Sequence, residues 1–344
     1  MQPSSPDGSG ARGRVVSFSP GAVDVVVAPM LTVLTSLVEL FGPLRQRRSP
    51  RAIARANELA GALPIGELVS TLRIGPHAYC PEVLLARARG VVSFHEQVEV
   101  MRSLPAEHIA AGMHAEAAFA DSVSDARPAG AEGVWRGWID RPGPSMSRYC
   151  ELLTRYEQAV VRRLEPGYER RLRSEANRLV EAADAFGPAI AFGNVHAHVH
   201  ATDTRLDVAG VFPSSARPTP PRIRFSPMIA SSRTRLNDIA YAARSSRCWA
   251  LLGAASGGLT VDGPAGAGGP LVRLLGEPRA RIVASLHRLP GSTTELAGEL
   301  GYAPSTISHH LSFLLAAGAV ETRRTGPAVL YALTDRGAAL ATLP

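Results

Sequence analysis

The sequence predicts an α+β protein, a larger mixed N-terminal unit followed by a small C-terminal domain of helices and a hairpin. Three observations carry this. From Leu271 onward, helically spaced apolar residues give way to two β-leaning runs around a Gly-Pro turn. Residues 14–254 alternate between helical and strand-like patterning. Between them the run AASGGLTVDGPAGAGG, residues 254–269, lacks side chains to pack, and residues 255–270 read as a linker.

Residues 1–13, MQPSSPDGSGARG, have no apolar core and read as a disordered tail, without the pattern of a signal peptide. Val15 to Phe18 and Val23 to Val27 are apolar and β-branched, as strands are. Pro29 precedes a helix with Leu31, Leu34, Leu37 and Val38 at helical spacing, and Gly42-Pro43 stops it. Residues 52–120 read as short helices broken at Pro64, Gly75-Pro76, Gly90 and Pro105. Residues 121–144, rich in Gly, Pro and Ala, read as a long loop containing Trp135 and Trp138.

Two strong helices follow. Leu152, Tyr156, Val160 and Leu164 recur every four residues; beyond Pro166-Gly167, Tyr168, Leu172, Ala176, Leu179, Val180 and Ala183 mark one face. Their outer arginines (Arg162, Arg163, Arg170, Arg171, Arg173) interleave with Glu165, Glu169 and Glu175, the pattern of a solvated face. From Ala189 to Phe225 the period becomes two, and AIAFGNVHAHVHAT, RLDVAGVF and PRIRFSP read as an antiparallel sheet. A helix from about Arg235 to Leu252 leads into the linker.

In the C-terminal domain, residues 271–344, Ser292 and Glu295 form a capping box that opens a helix at Thr293. Gly301 suits a left-handed cap, and Pro304 suits the first turn of the next helix. On that helix Ile307, Leu311 and Leu314 form an apolar stripe, with Ser305, Thr306, His309 and Ser312 opposite; Gly318 ends it. Ala319 to Arg324 and Ala328 to Thr334 make a hairpin through Thr325, Gly326 and Pro327. Two helices across a tight turn, then a hairpin, form a winged helix-turn-helix. A helix with a buried back and a short polar front fits the DNA major groove. Ser305, Thr306, Ser308, His309 and Ser312 are the expected groove-facing residues, with Arg323, Arg324 and Tyr331 on the backbone at the wing. The competing reading is a winged helix that docks a protein.

Charge supports this by placement more than by amount. The chain has 37 basic and 30 acidic side chains, a net +7 and a pI of about 9.9, and every basic residue is arginine. From Leu271 onward seven arginines stand against five carboxylates. Arg45, Arg47, Arg48 and Arg51 form a basic cluster that reads as a solvated loop, with a second DNA-backbone contact as the alternative.

LVRLLGEPRARIVASL (Leu271 to Leu286), TTELAGELGYAPSTISHHLSFLLAAGAV (Thr293 to Val320) and LYALTDRG (Leu330 to Gly337) together resemble the ArsR/SmtB family of bacterial repressors. The resemblance implies a dimer on a two-fold operator, repression by promoter occlusion, and Ser305, Thr306, Ser308 and His309 on the recognition helix. It also implies a dimer contact through the helix Leu274 to Leu289, carrying Leu275, Ile282, Val283 and Leu286, and through the terminal Ala338 to Leu343. The paired cysteines of arsenic-sensing members are replaced here by Thr, Thr, Glu and Leu within Thr293 to Leu300. Ala303 stands where a Ser N-cap is usual, at a cost of about 1 kcal/mol. A long N-terminal domain is similar to that of some actinobacterial members and is expected to sense a small-molecule effector or supply dimer surface.

Cys80, Cys150 and Cys248 are sparse and form no CxxC pair, which predicts a reducing, cytoplasmic setting without disulfides or a zinc knuckle. No apolar run is long enough for a membrane span. Nucleophile-elbow, phosphate-loop and zinc-protease motifs are absent, so neither an enzyme nor a cofactor is expected. His196, His198 and His200 alternate and would share one face of a strand, about 6.5 to 7 Å apart. With Asp203 or Asp207 they could chelate a metal, making the protein a metal-responsive sensor; the competing reading is an exposed polar sheet face. His309 and His310 point about 100° apart on a helix and do not chelate together; His310 is expected to pack at the flank of the stripe.

Overall fold

Apolar residues on every side of a helix demand burial on every side, and α1 (Pro29–Leu40) is buried at all its positions. The computed structural model describes residues 14–74, 77–78, 80–84, 90, 92–123, 131–195, 199–212, 221–229, 250–255 and 270–342. Ahead of α1 lie β1 (Arg14–Phe18) and β2 (Val23–Val25). The free amides at the start of α1 find partners: Ala28 N donates to Ser226 Oγ at 2.9 Å, and Met30 N to Gln97 Oε1 at 2.8 Å. At its far end Glu39, fully buried, pairs with buried Arg48. The basic cluster beyond α1 is therefore no uniform solvated loop, because Arg48 is drawn inward by a carboxylate.

Against α1 pack α2 (Pro50–Ala60), α3 (Ile65–Thr71) and α4 (Phe94–Arg102); the ribbon β3 (Arg73–Ile74) and β4 (His77–Ala78) follows α3 in the chain, and α5 (Ala106–Val123) follows α4. Next comes α6 (Ala131–Asp140), where a loop is expected from the Gly and Pro content. Trp135 and Trp138, one helical turn apart, are both buried, and their burial outweighs the weak local propensity. α7 (Pro142–Tyr156) continues through one π turn, Glu157–Val161, into α8 (Arg162–Leu164). The buried Glu157 carboxylate accepts from Tyr168 Oη at 2.9 Å and Arg162 Nε at 2.7 Å. Burial raises its pKa, against those two partners. Gly167, left-handed at φ 75, then starts α9 (Tyr168–Phe186), so the two strong helices are separated where Pro166-Gly167 predicts.

The strand region departs from the single antiparallel sheet expected of it. Pro188 begins a short helix, α10 (Pro188–Phe192), and the first strand, β5 (Val199–Ala201), is brief. β5 and β1 flank β6 (Leu206–Phe212) in an antiparallel sheet. β7 (Ile223–Met228) belongs to another sheet, parallel to both β2 and β8 (Ala250–Ala255). Strands with both faces covered read as continuous apolar runs, and β7 is buried at every position but Arg224. ALLGAA is such a run, which is why Ala250 to Leu252, expected in a helix, is a strand. The remainder of that expected helix, residues 235–249, lies outside the described residues, as do 1–13 and 256–269.

The C-terminal elements are α11 (Pro270–Leu275), α12 (Glu277–Arg288), β9 (Gly291–Ser292), α13 (Thr293–Leu300), α14 (Pro304–Ala316), β10 (Val320–Thr325), β11 (Ala328–Leu333) and α15 (Asp335–Ala341). Gly276, at φ 77, divides the expected Leu274 to Leu289 helix into α11 and α12. Ile282, Val283 and Leu286 of α12 join Leu296, Ile307, Leu311 and Leu314 in one core. These α12 residues are consumed within the domain; of the large apolar side chains on α11 and α12, Leu274 is left outside, 60% exposed.

Candidate nucleic-acid interface

The helix pair is set by local chemistry. Ser292 Oγ accepts from Glu295 N at 3.3 Å while Ser292 N donates to Glu295 Oε2 at 2.7 Å, the reciprocal capping box. Gly301, at φ 73, ends α13, and its N–H reaches Ala297 O. Pro304 opens α14 behind Ala303, which makes no side-chain cap bond. Ile307 and Leu311 are wholly buried and Leu314 nearly so, which fixes which side of α14 faces out. Ser305, Ser308, His309 and Ser312 are exposed and Thr306 is half-buried. Ser312 Oγ donates to His309 O at 2.7 Å.

His310 lies at the flank of this face, half-buried. Its pKa is lowered by burial, then by the charges of Arg279 and His309. Two neighbours escape a reading by stripe alone. Phe313 lies edge-on to His309, centroids 4.9 Å apart, and the Arg279 guanidinium sits 4.6 Å above the Phe313 ring. The sequence signal for Phe313 was its place off the apolar stripe; Arg279 gave none.

The wing divides its residues between two environments. In the β10–β11 register Arg323 faces Leu330, Glu321 faces Ala332, and Arg324 faces Val329. Leu330 and Ala332 pack with Phe186 of α9. Arg323, sharing their face, donates from Nη1 to Ala185 O at 2.7 Å and lies 5.3 Å over the Phe186 ring. The opposite face carries Val320, Tyr331 and Leu333, which pack with the α12–α14 core, and Arg324. Arg324 is exposed and has no ionic partner among the described residues.

A second junction ties α9 to this domain through Arg178, whose side chain is 3% exposed. It donates from Nε to Pro290 O at 2.7 Å, from Nη2 to Leu289 O at 2.6 Å, and from Nη1 to Glu299 at 2.7 Å. Arg288 bridges Glu175 at 3.0 Å and Glu299 at 2.8 Å. Burial alone would raise the Glu299 pKa; Arg288 and Arg178 hold it down at about 2. A Cβ at Gly291 would fall 2.6 Å from Arg178 Nε, so only glycine leaves that guanidinium its place. Asn194 Nδ2 adds a bond to His287 O at 2.8 Å.

His196 and His198 lie outside the described residues; His200 is exposed on β5 opposite Asp207 of β6. Asp207 accepts from Ser17 Oγ at 2.6 Å and pairs with Arg205 at 2.8 Å, and Asp203 is exposed. Among the described residues no three His, Cys, Asp or Glu side chains cluster as metal ligands. No helix among them is long and apolar enough to cross a membrane.

A capped helix pair with a hairpin packed on it puts the C-terminal domain in the winged helix-turn-helix class. The C-terminal domain belongs to the arsR family of bacterial regulatory proteins, whose model matches residues 277–322. It is similar to the transcriptional repressor BigR of Xylella fastidiosa, 34% identical over 21% of this chain and 72% of that one, with a TM-score of 0.19. It is similar also to the transcriptional regulator HlyU of Vibrio vulnificus, 30% identical over 21% of this chain and 76% of that one, TM-score 0.19. Against a mutant of Lactococcus lactis ZitR in apo form the identity is 19% and the TM-score 0.19. The chain spans about half the length of the ZitR chains it matches, 55% and 46%. No curated protein matches the chain.

Proposed function

We propose that the protein is a transcriptional regulator that binds double-stranded DNA as a homodimer, each winged helix taking one half of an inverted-repeat operator. The observation that carries this is α14: thirteen residues without a carboxylate, an apolar back in the core, and a front of hydroxyls and imidazole in solvent. Such a helix enters a major groove without charge repulsion and brings hydrogen-bonding groups to base edges. Ser305, Thr306, Ser308, His309 and Ser312 read the groove. Arg324 and Tyr331 hold the backbone beside it, and Arg323 steadies the wing against α9. Occupancy represses by occluding the promoter. Exposed Leu274 on α11, with α15, supplies the dimer contact. The N-terminal unit, residues 14–254, tunes occupancy by binding a small-molecule effector or by adding dimer surface.

The test is selection of bound sequences from a random duplex pool by the full-length protein, with affinity followed across a salt series. An enriched inverted repeat, bound by two chains with a steep salt dependence, is the expected result. Absence of salt-dependent association with any duplex would overturn the reading and favour a winged helix that docks a protein.

A further inference from the structure

We propose that Arg279 is a further DNA-backbone contact, held for that role by Phe313 of α14. This rests on the reading of α14 as the groove helix. The apolar needs of α14 are met by Ile307, Leu311 and Leu314, yet Phe313 stands 48% exposed on the outer side, against His309. Its ring is occupied by the Arg279 guanidinium, 4.6 Å above the centroid, a cation–π contact reaching across from α12.

Arg279 is unusual for a structural arginine. It lies in the first turn of α12, where the helix dipole disfavours a cation. The acid of that turn, Glu277, pairs with Arg281 at 4.0 Å. Arg279 has no carboxylate partner among the described residues, and its buried Nε has no hydrogen-bond partner. A guanidinium kept against its own helix dipole, uncompensated and stacked beside the outer face of α14, is suited to an external anion. Next to a groove helix that anion is a phosphate, which arginine engages through paired donors. The lowered pKa of adjacent His310, through burial and the charges of Arg279 and His309, fits the same positive patch.

The experiment measures affinity of the full-length protein for random duplex DNA across a salt series, comparing wild type with Arg279→Met, Arg279→Lys and Arg324→Ala. Met keeps an apolar stem on Phe313 and removes the charge. Arg279→Met is expected to weaken binding to all sequences alike and to lower the salt slope by about 1. Arg279→Lys should keep that slope, and Met combined with Arg324→Ala should lower it by about 2. If the Met variant does not fold, Arg279→Gln makes the same comparison. A wild-type slope in the charge-free variant overturns the inference, and does so alone if Arg324→Ala still flattens its slope. Wild-type protein that binds no duplex in dilute salt overturns the groove reading itself.

Discussion

Arg323 and Arg324 are adjacent in sequence and opposite in surroundings, because successive side chains of a strand point to opposite faces. Period-two logic gives that opposition; it does not say which face will be covered. The cover is Phe186 and the carbonyl of Ala185, at the far end of α9 and remote in sequence. Arg324→Ala should therefore weaken binding to every duplex about equally and flatten the salt slope by about 1. Arg323→Ala should leave the slope near that of wild type and loosen the wing instead. A slope equally reduced in both variants would contradict this division. His309 carries a different expectation, since its imidazole is exposed on α14 and braced by Phe313. His309→Ala should cost roughly 1 to 3 kcal/mol at particular base positions and little at others. A uniform loss across a library of operator variants would instead make it a backbone contact.

At the scale of elements, the sequence was most legible where a single turn decides the outcome. The Ser292–Glu295 capping box, the Gly301 cap and Pro304 state their geometry within four residues, so α13 and α14 begin and end where expected. Less legible were elements decided by distant partners: α6 is a helix because Trp135 and Trp138 find a core, and β8 is a strand because β7 lies beside it. The α9 junction was hidden for the same reason. Arg178 sits among exposed arginines on a helix whose charges alternate in sign, and only the fold sets it against Leu289, Pro290 and Glu299. That junction predicts an acid response. The Glu299 pKa is depressed from 4.5 to about 2, so its contribution is complete above pH 4.5 and vanishes as pH falls through about 2. The shift corresponds to roughly 3 kcal/mol. Denaturant melts between pH 5 and 2 should show that loss, and Glu299→Gln should flatten this limb of the stability curve. An unchanged limb in the Gln variant would mean that other carboxylates govern the acid transition.

For the molecule as a whole, the position of α9 matters more than its length. It meets the winged helix at the back of the β10–β11 sheet and at the end of α12, away from the outer face of α14. DNA could thus be read while the N-terminal unit stays docked, and a shift of α9 would be felt at the wing and at the start of α13. This gives the proposed sensing role a physical route independent of the Gly/Ala-rich run at residues 255–270. Arg178 is the side chain on which the route most depends, because removing it strands the carbonyls of Leu289 and Pro290 and leaves Glu299 to Arg288 and Ser285. A buried carbonyl left without a donor typically costs about 1 to 3 kcal/mol. Arg178→Met should therefore lower the melting temperature and speed amide exchange in α13, β10 and the second half of α9. Exchange in α1, buried at every position, should keep its wild-type rate. Should α1 exchange faster by the same factor, the two units unfold as one cooperative body and α9 is no separable relay. Should nothing change, the junction does not hold the units together.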